Sequence, residues 1–527
     1  MQKDLFKLGV YSVWIILPCT ALYGQAIPAE RTTDWSLAGI RSEIPAIEQM
    51  LNILDLGGSG DGATSNNAAL NAAFAAAAGE MTVIEFPAGD YFFTAGIDIP
   101  DRVIIRGEGS DATTFTFSLG GNGHCINIAG TELPQTYPIV GGALRGDTIF
   151  SSIVNDPLDP GDLIRLYRND ADLVFSSWAI GTAGQLAHVS SVGNAAIMIT
   201  SPLRAHYGLE GSYWRKMDPA QYVGIECLKI VREDQTEGQW SNILLIKADH
   251  CWVRGVESDM TNFAHIEISE STNCEITGNY LHHAFGYGSG GKAYGVDLTN
   301  TAGENLIADN VFEHLRHSMI VQIGANGNVL AYNHSTDPFW EEGFWPANAA
   351  GDIVLHGDHP YLNLFEGNIV QNIVIDDSHG SNGPFNTFFR NEANLYGYVM
   401  SNNPPTDSIN IVGNVIPGTT NSFFTVTGEG HFMYGNLYQG NLVPESSGNL
   451  TTTSYYIETL PAYLLPIESL PQIGPNAAEP GTIPAEMRFL AGNSFTVCPS
   501  DITTAVIGTE QRGEFSAYPN PFTDRIV

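Results

Sequence analysis

Positive charge is what this chain has least of. Its 22 Lys and Arg stand against 57 Asp and Glu, a formal charge of −35 over 527 residues. A phosphate backbone is held by clustered cations, so a nucleic-acid partner is excluded. Charged residues of both signs make up only 15% of the chain, which excludes a coiled coil as well. Six scattered cysteines are too few for a disulfide framework or a zinc ribbon. Long apolar runs are absent except at the start, where Leu8 to Leu22 follows Lys3 and Lys7 and ends in Tyr23-Gly24-Gln25. That run is short for a membrane span of about 20 residues. It reads as a signal peptide over residues 1–25, which makes the protein secreted or surface-exposed and leaves five cysteines, at least one of them without an intramolecular partner.

What is present is a repeat. Short segments end at Val256, Asn279, Asn310, Asn333, Asn368, Asn391, Asn414 and Asn436, at spacings of 23, 31, 23, 35, 23, 23 and 22 residues. Three positions before each end stands an apolar residue: Val253, Ile276, Ile307, Leu330, Phe365, Phe388, Ile411 and Met433. A third column, Cys251, Cys274, Asn305, Asn328, Asn363 and Asn386, lies five positions before the ends. A 23-residue period of β-rich segments predicts a solenoid whose turns stack on one another. The expected fold is all-β, a right-handed parallel β-helix over residues 50–445. Its Asn columns serve as scaffold, satisfying backbone groups at each bend and accommodating a left-handed turn.

The N-terminal region supplies a start for the stack. An Ala-rich helix is expected over Ala68–Ala78, followed by strands at Thr82–Phe86, Tyr91–Thr94 and Arg102–Arg106. Laid over the first coil, such a helix covers an open edge. Gly60-Asp61-Gly62, the Ala-rich helix, Phe86-Pro87-Ala88-Gly89-Asp90-Tyr91 and Ile105-Arg106-Gly107-Glu108-Gly109 together resemble the opening of the pectate lyase superfamily. This resemblance implies a right-handed β-helix and, for some members, calcium with a Lys or Arg base. Residues 128–222 lose the 23-residue phase and read as a β insertion. The proline-rich stretch Leu460–Ala485 cannot form central strands, so residues 446–510 are expected to wrap or cap the helix. Residues 515–527, with Tyr518-Pro519-Asn520-Pro521, resemble a truncated type IX secretion sorting domain, which implies the secretion machinery as a partner; the chain is expected to be monomeric.

In a stack, register becomes proximity, because neighbouring strands lie about 4.8 Å apart. Four positions past three successive ladder Asn come His283, His314 and Asp337, a row suited to a general base or a metal, or simply to exposed histidines bonding water. Two repeats carry extra loops. The first holds Tyr287, Lys292 and Tyr294, and the second holds Trp340, Glu341, Glu342, Trp345 and His356-Gly357-Asp358-His359. Aromatic rings beside carboxylates suit sugars; packing within the loops is the other reading. Arg316, His317, His379 and Arg390 complete the candidate catalytic set, with Arg390 conspicuous where Gly usually precedes the ladder Asn. Asp376, Asp377 and Asp358 are candidate ligands for a hard cation such as calcium.

The function expected first is a polysaccharide lyase cleaving a uronic-acid polymer by β-elimination. Arg316, Arg390 or calcium would neutralise the uronate, Lys292 or a histidine would act as base, and a Tyr as acid. A glycoside hydrolase using two carboxylates is the second expectation, and a surface glycan-binding or adhesive protein the third.

Overall fold

Stacking of the apolar column organises the molecule. In this computed structural model, which describes residues 27–498 except 154–157, 194, 343–345, 419–420, 449, 465–466, 468, 472, 476–481 and 493, Val253 through Met433 pair in register from coil to coil. Every member except Met433 is fully buried, and the Phe365 and Phe388 rings stack at 4.7 Å. They lie in a twelve-stranded, wholly parallel sheet from Gln49–Asn52 to Phe432–Tyr434, one strand per coil. Further parallel strands form the other walls around a continuous apolar interior, and the fold is an all-β right-handed parallel β-helix. The signal peptide and the sorting-domain resemblance fall outside the described residues. Among the described residues no helix is long and apolar enough to cross a membrane.

At each bend the Asn side chains form a ladder. The backbone N and Nδ2 of Asn310 both donate to Asn333 Oδ1, and those of Asn333 donate to Asn368 Oδ1, at 2.9–3.0 Å. The pattern continues to Asn436. Asn333 Nδ2 also donates to Ile307 O at 2.9 Å, so each buried amide is satisfied on both sides. Asn305, Asn328, Asn363 and Asn386 repeat the arrangement, and the buried thiols Cys251 and Cys274 continue that column.

The left-handed conformation falls on the residue before each ladder Asn, not on the Asn itself. Gly255, Gly278, Gly367, Gly413 and Gly435 occupy it, and so do Asp309, Tyr332 and Arg390 at φ 57°, 57° and 54°. A non-glycine here carries strain, and each of the three has an anchoring contact, described below for two of them.

A helix, α1 (Asn67–Ala77), covers the first coil with Leu70, Ala73 and Ala77 buried. Between Thr131 and Asp218 the chain leaves the coils to build a seven-stranded antiparallel sheet. This insertion packs on Tyr361 and Leu362 of the coils and is tied to them by Arg204, which bonds Asn326 Oδ1 at 2.6 Å and pairs with Glu304. After a closing hairpin, Asn436–Tyr438 with Asn441–Val443, the chain turns back along the outer face of the twelve-stranded sheet. Leu450, Leu464, Ile473 and Ile483 cover Leu306, Val329, Leu364 and Val412 there. In a second helix, α2 (Pro484–Ala491), Arg488 pairs with Asp309 at 2.9 Å. The strap ends in a disulfide from Cys498 to Cys227.

Candidate functional site

One wall of the helix exposes a column that is apolar except at two places. Leu244, Glu267, Asp297, Ile320, Val354 and Val374 follow one another in register. In strands that alternate inward and outward, these are outward positions. Ile320, Val354 and Val374 bury themselves under Phe263 and Tyr294. Glu267 and Asp297 put two carboxyl groups side by side on adjacent strands instead. Gln322 Nε2 donates to both Asp297 oxygens at 3.0 and 3.1 Å, and the Ser241 hydroxyl donates to Glu267 Oε2 at 2.7 Å. Burial, then the neighbouring Glu267 charge, pushes the Asp297 carboxyl well above the usual carboxylate range. Burial raises Glu267 too. Both carboxyl groups are thus pushed toward the protonated form.

Above this pair lies a cleft of about 560 Å³. Ser289, Gly290 and Gly291 of the first long loop form one rim, and Trp178 of the insertion with His379 forms another. Trp178 is 62% exposed, a large ring held open to solvent. Phe263, Tyr294, Arg316 and His356 complete the walls. His356 Nδ1 meets Asp376 Oδ2 at 2.8 Å, an arrangement that fixes the ring and leaves Nε2 for the cleft. The partner imidazole holds Asp376 below the ordinary carboxylate range against the opposing effect of burial.

Of the expected site residues, Tyr294, Arg316 and His379 line this cleft. Arg316 Nη1 donates to Gly288 O at 3.0 Å and lies over the Trp340 ring at 5.4 Å, so Trp340 supports the arginine from outside the cleft. His317, next in sequence and first in its strand, is buried, its Nδ1 bonded to Gly351 O at 3.0 Å, and burial with the Arg316 charge drives it well below the usual imidazole range. Burial and His356 also lower His379.

The His283, His314 and Asp337 row forms, but elsewhere. The two imidazoles lie 5.1 Å apart and His314 Nδ1 meets Asp337 Oδ2 at 2.7 Å. Tyr287 packs edge-on to His314 at 4.9 Å and Phe339 stacks on it at 5.0 Å. None of these residues lines the cleft. Burial lowers His283, with the charges of His282 and His314 adding to the effect.

Several expectations need correction. Arg390 does not line the cleft: it is 3% exposed and donates to the carbonyls of Leu450, Thr452 and Ile473, clamping the strap. Glu341 and Glu342 are not aimed at a ligand; Glu342 accepts from Ser289 N at 2.7 Å and Glu341 from Tyr287 N at 3.4 Å, which fixes the rim loop. Lys292 faces the exposed Glu237 at 3.2 Å. Asp358, Asp376 and Asp377 do not converge into a cation site. Asp358 is fully buried and accepts from Phe175 N and Ser176 N at 2.7 and 3.0 Å, anchoring the loop that carries Trp178. Asp377 accepts from Asn403 N at 2.6 Å. Trp345 lies outside the described residues.

Sequence reasoning missed Glu267, Asp297, Gln322 and Trp178. The first two do leave a signal: Ile266-Glu267-Ile268 and Val296-Asp297-Leu298 each place an acid between two apolar residues, where the following coils read Met319-Ile320-Val321 and Ile353-Val354-Leu355.

Comparison with known proteins bears on the scaffold. Residues 50–132 match a family model described as Rhamnogalacturonase A/epimerase, pectate lyase-like. That match spans the first coils and the helix laid over them. No curated protein sequence matches the chain. Among solved structures it is similar to the tailspike protein gp49 from Pseudomonas phage LKA1, at 15% identity over 73% of this chain and 79% of that one, with a TM-score of 0.47. It is also similar to an exopolygalacturonase from Thermotoga maritima, at 11% identity over 76% and 88%, TM-score 0.40. A third is the catalytic unit of a GH87 alpha-1,3-glucanase from Streptomyces thermodiastaticus strain HF3-3, at 12% identity over 76% and 60%, TM-score 0.39. At such scores the likenesses carry nothing about the reaction of this chain.

Proposed function

We propose that the protein acts outside the cell as a polysaccharide-cleaving enzyme, and that its cleft hydrolyses a glycosidic bond. The observation that carries this reading is the Glu267 and Asp297 pair, set in register in an otherwise apolar column at the cleft floor. Glycoside hydrolysis needs a carboxyl group that is still protonated at working pH. Glu267, the more accessible of the pair, gives its proton to the leaving oxygen as the bond to the anomeric carbon breaks. Neutral Asp297 beneath it sets the polarity of the floor. His356, oriented by Asp376, takes a proton from water at Nε2 while the water oxygen bonds to the anomeric carbon. Trp178, Phe263 and Tyr294 offer faces on which sugar rings stack. The formal charge of −35 favours a neutral polymer over an anionic one.

Tyr294 and Arg316, which also line the cleft with the Arg316 guanidinium 5.9 Å from the Tyr294 ring, favour elimination as the second reading. There Arg316 or an added calcium ion would neutralise a uronate, His356 would take the proton alpha to it, and Tyr294 would protonate the leaving oxygen. A panel of neutral and uronate-containing polysaccharides separates the two. Hydrolysis predicts new reducing ends without the ultraviolet absorbance of an unsaturated uronate, and no change on adding or chelating calcium. Absorbance rising in step with chain cleavage would replace hydrolysis with elimination, and binding without either signal would leave a glycan-binding protein.

A further inference from the structure

Where the insertion leaves and rejoins the coils, three metal-ligating side chains meet outside the cleft. His188 comes from the insertion strand Gln185–Gly193; Asp249 and His250 come from the end of a coil strand and the bend after it. His188 Nε2 lies 3.1 Å from Asp249 Oδ2, His250 Nδ1 lies 2.6 Å from Asp249 Oδ1, and the three donor atoms fall within 4.8 Å of one another. Asp249 is 1% exposed and His250 8%. Buried groups of this kind normally find hydrogen-bond partners. Asp249 Oδ1 and His250 Nδ1 have none: despite their closeness, neither is aligned for a hydrogen bond. Both atoms are thereby left free for a third partner.

The surroundings fit a built site. Gln221 Nε2 donates to Asp249 Oδ2 at 2.9 Å, the outer hydrogen bond that orients a ligating carboxylate. Gln221 and Asp249 are themselves paired on the parallel strands that close the insertion. His250 is held at φ 55°, a conformation that costs energy for a non-glycine and turns its ring toward Asp249.

We propose that His188, Asp249 and His250 bind one divalent transition-metal ion that pins the insertion to the β-helix. Two imidazoles with one carboxylate select zinc or a similar ion over calcium. Tetrahedral ligands about 2.0–2.1 Å from zinc lie roughly 3.3 Å apart; His188 already stands 3.1 Å from Asp249 Oδ2, while His250, at 2.6 Å from Oδ1, has to draw back a few tenths of an ångström when the ion enters. A water completes the coordination. Since the insertion carries Trp178, the ion acts at a distance on the cleft rim.

The test uses the whole mature protein, equilibrated with zinc, freed of loose metal on a chelating resin and counted by elemental analysis. One zinc per chain is expected, along with a cobalt-loaded form showing d–d absorption and a Tm that rises with zinc. His188→Gln and His250→Gln should each lower zinc affinity about 10–100-fold and abolish the Tm response. Wild-type protein without stoichiometric zinc and without cobalt bands overturns the proposal, leaving an ion pair that shares a proton. Unchanged zinc binding by folded His188→Gln overturns it as well, by placing the ion elsewhere.

Discussion

At the scale of single residues, the protein sets a stability cost beside a chemical gain at Asp297. A buried carboxyl held above its ordinary range keeps a proton that the unfolded chain, titrating near pH 3.9, has already lost. The native state therefore binds more protons, so stability falls as pH rises from the unfolded pKa through the raised native one. Asp297→Asn cannot ionise. Its Tm at pH 8 should exceed that of wild type by about 2 °C or more, while turnover, which draws its proton from Glu267, stays within roughly tenfold of wild type because the amide is neutral like the protonated acid; a melting point unchanged or lowered at pH 8 would refute the buried-acid assignment. Wild-type activity should likewise decline on the alkaline side as Glu267, raised by burial, loses the proton it gives to the leaving oxygen. These two acids were hard to see in the sequence for a definite reason. The site was sought at a fixed offset from the ladder Asn, which finds bend residues such as His283 and His314. The eight residues added in the first long loop displace Asp297 from the phase of Glu267.

The elements were legible to different depths. Columns from Val253 to Met433 and from Asn279 to Asn436 follow from period alone, because a stacked coil cannot vary the residue its neighbours bury or bond. The position before the ladder Asn was read only as usually small. Its left-handed backbone explains the glycines, and the exceptions turn out to be anchors: Asp309 holds α2 of the strap and Arg390 holds three strap carbonyls. No local pattern announces such partners, since Arg390 and Ile473 are 83 residues apart in sequence. Arg390→Met keeps the apolar stem and strands three carbonyls, at a cost of about 3 kcal/mol or more. The expected outcome is faster proteolysis within residues 446–498 at unchanged kcat; loss of turnover with an intact strap would restore Arg390 as a catalytic candidate.

Across the whole molecule, the cleft belongs to no single repeat. Coils supply the carboxyl pair and the His356–Asp376 pair, one long loop supplies a rim, and the insertion supplies Trp178, its loop held by the backbone bonds to Asp358. A solenoid reading of the sequence captures the coils but not the packing of an antiparallel sheet onto them, because that docking rests on contacts such as Arg204 with Glu304 that span 100 residues. The His283, His314 and Asp337 row stands apart from this cleft as a second surface with the appearance of a site. Measured side by side, the rates of reducing-end release by wild type, Glu267→Gln and His314→Ala on a cleaved polysaccharide decide between the two surfaces. The cleft account predicts that Glu267→Gln loses at least about a hundredfold while His314→Ala stays near wild type; the opposite order would contradict it.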